Sequence, residues 1–207
     1  MAEFWEESFK DKQVMWGETP TQSALFARDY FLRKGVQSVL IPGIGYGRNA
    51  KPFLAAGIDV VGIEISQTAI DLAKSQTNLD ITIHHGSVSD MPFDDKIYDG
   101  IFSHALIHLL DDEQRQKFIN NCYAQLAPGG IMIVTAISTK SPSYGKGTEI
   151  GPNRYEQHGG AQIFFYEEVA LRQEFEKYNL LEIQEILEPS GNGTELPFLI
   201  AVCTKEF

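Results

Sequence analysis

Short apolar runs alternate with helix-period segments along most of the chain. The runs at 38–41, 59–64, 81–85, 99–103 and 131–136 have strand length and apolar centres, as expected for strands covered on both faces. Between them the spacing becomes helical. Leu25, Phe26, Tyr30 and Phe31 form a stripe in a helix that Thr21 or Ser23 caps, that runs to Lys34 and that Gly35 ends. A helix over 48–56 stops at Gly57. Ser66 caps a third, with Ala69, Ile70, Leu72 and Ala73 facing inward, and a long fourth covers 112–126. Strands separated by helices predict a parallel, doubly wound α/β sheet.

The end of the chain breaks this alternation. A helix over 167–178 leads to a strand at 180–187. The turn-rich Pro189-Ser190-Gly191-Asn192-Gly193 follows, then a strand at 198–204. Two strands without a helix between them make a hairpin, so the last strand runs antiparallel in a seven-stranded sheet. Residues 1–207 read as a single domain, with 1–35 as an N-terminal arm and helix. The arm's aromatics, including Phe4, Trp5, Phe9 and Trp16, either close over a site or pack as a staple, and packing is the favoured reading for each one. A Gly/Pro-rich insert over 138–165 follows the fifth strand, at the sheet edge where open α/β folds bind ligands. Loops of this length are commonly functional, and a substrate lid is preferred to a passive loop.

Composition narrows the picture. The hydrophobic fraction of the 207 residues is 43 %, ordinary for a globular protein. The sequence has no apolar stretch of membrane-spanning length, and the acidic, aromatic start is unlike a targeting peptide, so the expectation is no membrane and a cytoplasmic location. The formal charge of −11 and the lack of a basic cluster argue against a nucleic-acid partner, leaving a small-molecule substrate. Cys122 and Cys203 read as buried thiols. The sequence leaves the oligomeric state open.

The chemistry centres on Pro42-Gly43-Ile44-Gly45-Tyr46-Gly47, with Glu64 closing the next strand. Glycines let a backbone turn tightly against a ligand, and an acid at this strand end accepts hydrogen bonds from ribose hydroxyls. An adenosine-containing cofactor is the implied ligand. The spacing is not that of a dinucleotide fingerprint, because Arg48 stands where the third glycine belongs. The Gly-Lys-Ser/Thr of a phosphate loop is also absent.

Four segments in order resemble the class I S-adenosylmethionine (SAM)-dependent methyltransferases. They are the glycine loop, Gly86-Ser87-Val88-Ser89-Asp90-Met91-Pro92-Phe93, Tyr98-Asp99-Gly100-Ile101-Phe102-Ser103-His104, and Leu126-Ala127-Pro128-Gly129-Gly130-Ile131-Met132-Ile133-Val134. Ile41-Pro42-Gly43, Trp16-Gly17-Glu18-Thr19-Pro20 and Gly47-Arg48-Asn49-Ala50 look like the thiopurine and tellurite-resistance branches. Ile41 departs from the acid that many relatives carry two residues before the first glycine. The resemblance implies a Rossmann-like fold and SAM as cofactor. It implies Gly43, Gly45, Gly47, Glu64, Ile65, Ser89, Asp90, Met91 and Ser103 around that cofactor, with Asp90 on the adenine amino group and Met91 on the ring. Arg48 either meets the cofactor carboxylate or pairs with an acid.

His104 follows the fourth strand beside the expected methyl position and is the candidate catalytic residue, as general base or orienting group; its alternative is a structural histidine. His104 and His108 share a face if 104–110 is helical, but without a Glu between them they do not form a zincin motif, and no metal is expected. Trp16, His108, Tyr144, Tyr155 and His158 are candidate substrate-pocket residues. His84 and His85 read as structural. The reading is methyl transfer to a small molecule, such as a thiol, a metalloid oxyanion or a small metabolite. Its competitors are an aminopropyl transferase, a non-catalytic SAM-binding protein and a nicotinamide-binding domain.

Overall fold

Strands β1 (Ser38–Pro42), β2 (Asp59–Glu64), β3 (Thr82–His85), β4 (Tyr98–Ser103) and β5 (Leu126–Ile137) run parallel in a computed structural model that describes residues 2–76, 79–190 and 193–206. Strands β6 (Thr148–Gly151), β7 (Arg154–Gln157) and β8 (Ala161–Phe164) form a separate antiparallel sheet. Strands β9 (Leu180–Pro189) and β10 (Glu195–Thr204) complete the main sheet, whose order is β3-β2-β1-β4-β5-β10-β9. Only β10 is antiparallel to its neighbours. Gly191 and Asn192 of the expected turn lie outside the described residues.

Helices α1 (Ala2–Lys12), α2 (Gln22–Lys34), α3 (Lys51–Ala55), α4 (Gln67–Ser75), α5 (Asp112–Ala124) and α6 (Glu168–Phe175) flank the sheet. Its apolar strands are buried on both sides. One core joins Phe118, Ile119, Leu171 and Phe175 of α5 and α6 to Ile101, Met132 and Val134. The other joins Ala24, Ala27, Phe31 and Phe53 of α2 and α3 to Val39, Phe102 and Ile133. Thr21 caps α2 by accepting the Ala24 N–H, and Gly35 ends it in the left-handed region. Ser66 caps α4 through the Ala69 N–H. Cys122 and Cys203 are buried, and burial pushes both thiols upward in pKa.

Several boundaries differ from the sequence expectation. The helix expected over 48–56 shrinks to Lys51–Ala55, because Arg48 to Ala50 form turns and Pro52 sits at the helix start, where a missing N–H is tolerated. β5 begins at Leu126, paired with Tyr98, and a register shift between Tyr98 and Gly100 absorbs the Pro-Gly-Gly segment. Residues 104–110 are not one helix. Only Ile107–Leu109 forms a single 3₁₀ turn, so the i,i+4 face expected for His104 and His108 does not exist. The N-terminal arm contains α1, and the 138–165 insert is the three-stranded sheet rather than an irregular loop. The Tyr144, Tyr155 and Phe165 rings meet edge-on within the insert. Its end returns to the main sheet where the Tyr166 N–H donates to Ile137 O and the Thr139 N–H donates to Tyr166 O.

Candidate active site

The glycine loop is fastened to the end of β2. The Gly43 and Ile44 N–H groups donate to Ile63 O at 2.8 and 3.1 Å. Gly43 and Gly45 have φ of +70° and +58°, which side-chain-bearing residues rarely adopt. The Glu64 carboxylate accepts the Gly45 N–H at 2.8 Å and the Ile65 and Ser66 N–H groups at 2.9 Å each. It is 6 % exposed. Burial raises its pKa, and the three donors oppose that shift. Glu64 therefore ties loop, strand and α4 together while lining a cavity.

That cavity has a volume of about 530 Å³. The sheet order fixes its direction. One end lies over β2 and β1, with Glu64, Ile65, Gly43 and Gly45, and is continued by Gly86 to Val88 after β3. The other end lies past β4 toward β10 and β9, with His104, His108, Leu196, Phe198 and Glu188, and is covered by Ala161 and Ile163 of β8. The N-terminal arm adds Trp5, Phe9, Met15 and Trp16. Trp16 stacks on Tyr46, its backbone N–H donates to the Tyr46 hydroxyl, and its carbonyl accepts from Arg48 at 2.7 Å. Glu6 docks α1 on α4, accepting from Ser66 Oγ at 2.7 Å, Thr68 Oγ1 at 2.6 Å and the Thr68 N–H at 3.2 Å.

At the far end, His104 Nδ1 lies 2.9 Å from Ser23 Oγ and 3.0 Å from Thr135 Oγ1. Glu188 accepts the Gln22 and Ser23 N–H groups at 2.8 and 2.9 Å, where an anion suits the start of α2. The ring of His104 stacks on Phe198. His108 Nδ1 accepts the Ile137 N–H at 3.2 Å. Burial pushes both imidazoles down to about 3, so both are neutral near pH 7. With its ring neutral, the 4.0 Å approach of His104 to Glu188 is not an ion pair.

The cavity brings together Gly43, Gly45, Arg48, Glu64, Ile65, His104, His108 and Trp16. Other candidates do not line it. Gly47 has φ +82°, and a Cβ there would overlap Leu79. Ser103 is buried and donates to Pro42 O, joining β4 to β1. Met91 sits in the core, Asp90 is exposed, and the Ser89 hydroxyl is buried. The 3₁₀ turn Val88–Asp90 explains all three, since it leaves Ser87 and Val88 facing the cavity. Tyr144 and Tyr155 are held in the insert's aromatic cluster, and the side chain of His158 lies outside the described ones. The sequence reading missed Glu188, Phe198, Asn49 and Tyr46. Tyr46 lies inside the glycine motif and was within reach of sequence reasoning. Glu188 and Phe198 carry no local motif and reach the site only through the hairpin's place in the sheet.

A ribose-bearing cofactor fits the first end. Glu64 retains acceptor capacity beyond its three backbone donors, Arg48 supplies a cation, and Ile63, Ile65 and Val88 offer apolar walls. Residues 39–130 match a sequence profile described as a methyltransferase domain. The fold is the Rossmann-like α/β fold of the solved methyltransferases that the chain resembles. The 1,6-didemethyltoxoflavin-N1-methyltransferase of Burkholderia thailandensis, solved with its substrate and S-adenosylhomocysteine, is similar at TM-score 0.74 and 16 % identity, over 100 % of this chain and 87 % of that one. The tRNA N(3)-methylcytidine methyltransferase Mettl2 of Drosophila melanogaster is 25 % identical over 87 % of this chain and 59 % of its own length. The tRNA N(3)-cytidine methyltransferase METTL2 of Danio rerio is 27 % identical over 72 % of this chain and 46 % of its own. The chain thus spans about half the length of these curated relatives. Their names overturn the expectation of no nucleic-acid partner: overall negative charge is no ground for excluding RNA as the acceptor. Among the described residues, no helix is long and apolar enough to cross a membrane.

Proposed function

We propose that the chain transfers the methyl group of SAM to an acceptor that enters the cavity from the β10–β9 side, with a small molecule as the first reading. The carrying observation is that one continuous cavity joins the Gly43–Gly45 loop and Glu64 to a separate apolar end around His104 and Phe198. Bound SAM supplies a methyl group on sulfur that is already a good leaving group, so the chain works by alignment and exclusion of water. Glu64 and the glycine loop hold the ribose side, Arg48 meets the carboxylate, and His104 orients the acceptor or takes its proton. The arm and β8 cover the space from two sides. The likeness to the thiopurine and tellurite-resistance branches supports this division at the cofactor end. A second reading, favoured by the tRNA relatives, places a nucleobase of an RNA at the same end.

Titration calorimetry in the presence of a chelator is expected to show S-adenosylhomocysteine and SAM binding. Binding of NADH with none of S-adenosylhomocysteine would reject the reading.

A further inference from the structure

We infer that the acceptor is an uncharged aromatic ring that presents an N–H or O–H to His104 Nε2, rather than a thiolate or a metalloid oxyanion. The inference rests on the methyltransferase reading and narrows it to a chemical class. A chain of hydrogen bonds with one consistent direction carries it.

Asn49 Oδ1 accepts the Thr21 backbone N–H at 3.0 Å, which identifies this atom as the carbonyl oxygen. The same oxygen accepts the Thr21 hydroxyl at 3.1 Å, so the single Thr21 hydroxyl proton is committed there. Between Thr21 Oγ1 and Ser23 Oγ, 3.1 Å apart, the donor is then Ser23. With that proton used, Ser23 Oγ is an acceptor toward His104 Nδ1 at 2.9 Å. A neutral imidazole carries one proton, and the chain places it on Nδ1. Thr135 Oγ1 lies 3.0 Å from the same nitrogen. Nε2 is left as a lone pair, and among the described residues no hydrogen bond engages it.

The surroundings fit such an acceptor. Ala161, Ile163 and Leu196 give apolar walls beside the Phe198 ring, which stacks on His104. Arg48 is the only Lys or Arg among the described lining residues, and the proposed function already assigns it to the cofactor's carboxylate. An anion here would lose water, meet a lone pair and find no free cation. A neutral N–H or O–H fills the Nε2 acceptor, and a site built to hydrogen-bond a group rejects analogues that lack it. In the transfer, a lone pair on the acceptor nitrogen or oxygen forms the bond to the methyl carbon as the carbon–sulfur bond breaks, its electrons staying on sulfur. The acceptor's N–H or O–H proton passes to Nε2 and then to water. Glu188, 4.0 Å from Nδ1, faces the imidazolium formed in between. Ser23, Thr21 and Asn49 are positioning residues that set the tautomer.

The test uses protein saturated with S-adenosylhomocysteine, so failure of cofactor binding is seen separately as failure of the broader reading. Nitrogen NMR of histidine-labelled protein is expected to show His104 protonated at Nδ1 and bare at Nε2; the opposite tautomer would overturn the inference. At pH 7.5, 2-naphthol is expected to bind about tenfold or more tightly than 2-naphthoate, the scale of one buried hydrogen bond. His104→Phe, which keeps a ring against Phe198, should lose that preference while retaining S-adenosylhomocysteine. Equal or tighter binding of 2-naphthoate, no binding of either probe, or a preference unchanged in His104→Phe would each overturn it. A tRNA transcript that displaces 2-naphthol assigns the ring to an RNA base, and one that does not assigns it to a free molecule. Either source satisfies the inference.

Discussion

Glu64 fastens the glycine loop and is the residue proposed to meet the ribose. Its carboxylate is the acceptor for three backbone N–H groups, from Gly45, Ile65 and Ser66. Glu64→Ala strands these donors in a mostly buried place, and a buried donor left unpaired costs about 1–3 kcal/mol. The variant is expected to lose stability by about that amount in a denaturant titration, as well as binding S-adenosylhomocysteine about tenfold or more weakly by calorimetry. Weaker binding at unchanged stability would mean that the carboxylate does not hold the loop. The ribose-acceptor role proposed for Glu64 comes from the sequence, where an acid closes the strand after a glycine loop. The loop-fastening role was not, because the donors come from backbone whose direction only the folded turn sets.

At the scale of elements, the docking of α1 on α4 depends on a titratable cap. Hydrogen bonds from the Thr68 and Ser66 hydroxyls hold the Glu6 carboxyl at about 2, below its ordinary 4.5. A carboxylate whose folded value is depressed contributes stability in full above the unfolded value and loses it as pH falls through the folded one. The α1 contact is therefore expected to weaken between about pH 4.5 and pH 2. Amide protection factors in residues 2–12, corrected for the intrinsic pH dependence of exchange, should fall over that window in the native protein. In Glu6→Gln they should already be lower at neutral pH and vary little with pH between those values. Identical profiles for the two proteins would assign the docking to the aromatic contacts of Trp5 and Phe9 alone. Sequence reading identified the arm's aromatics but not its helix, because a polar 11-residue segment with few apolar contacts takes its helical stability from the surface it lands on.

Across the whole molecule, the cavity is covered from two remote parts of the chain, the arm at the N-terminus and β8 of the insert. If both act as covers, S-adenosylhomocysteine will slow amide exchange in α1 and in β6–β8 as well as in the glycine loop. Protection confined to 43–47 and 64–66 would show the covers to be passive. The same arrangement bears on the acceptor. Negative charge spread over the surface leaves one cation and two carboxylates among the described lining residues, Arg48 against Glu64 and Glu188, so cavity chemistry cannot be deduced from net charge.

By itself the sequence determined the sheet, its parallel strands and the reversed last strand, because buried strands and amphipathic helices write their periods directly into the residue pattern. It also brought the glycine loop and Glu64 together, since they are separated by one strand–helix–strand unit and meet by local geometry. The tertiary structure decided the acceptor end. Ser23, Asn49, His104 and Glu188 come from four distant segments and form one hydrogen-bonded group only because β4, β9 and α2 converge there. The direction of each hydrogen bond, and with it the tautomer of His104, depends on which donors have already been used. That is a property of the assembled network, not of any residue's neighbours in sequence.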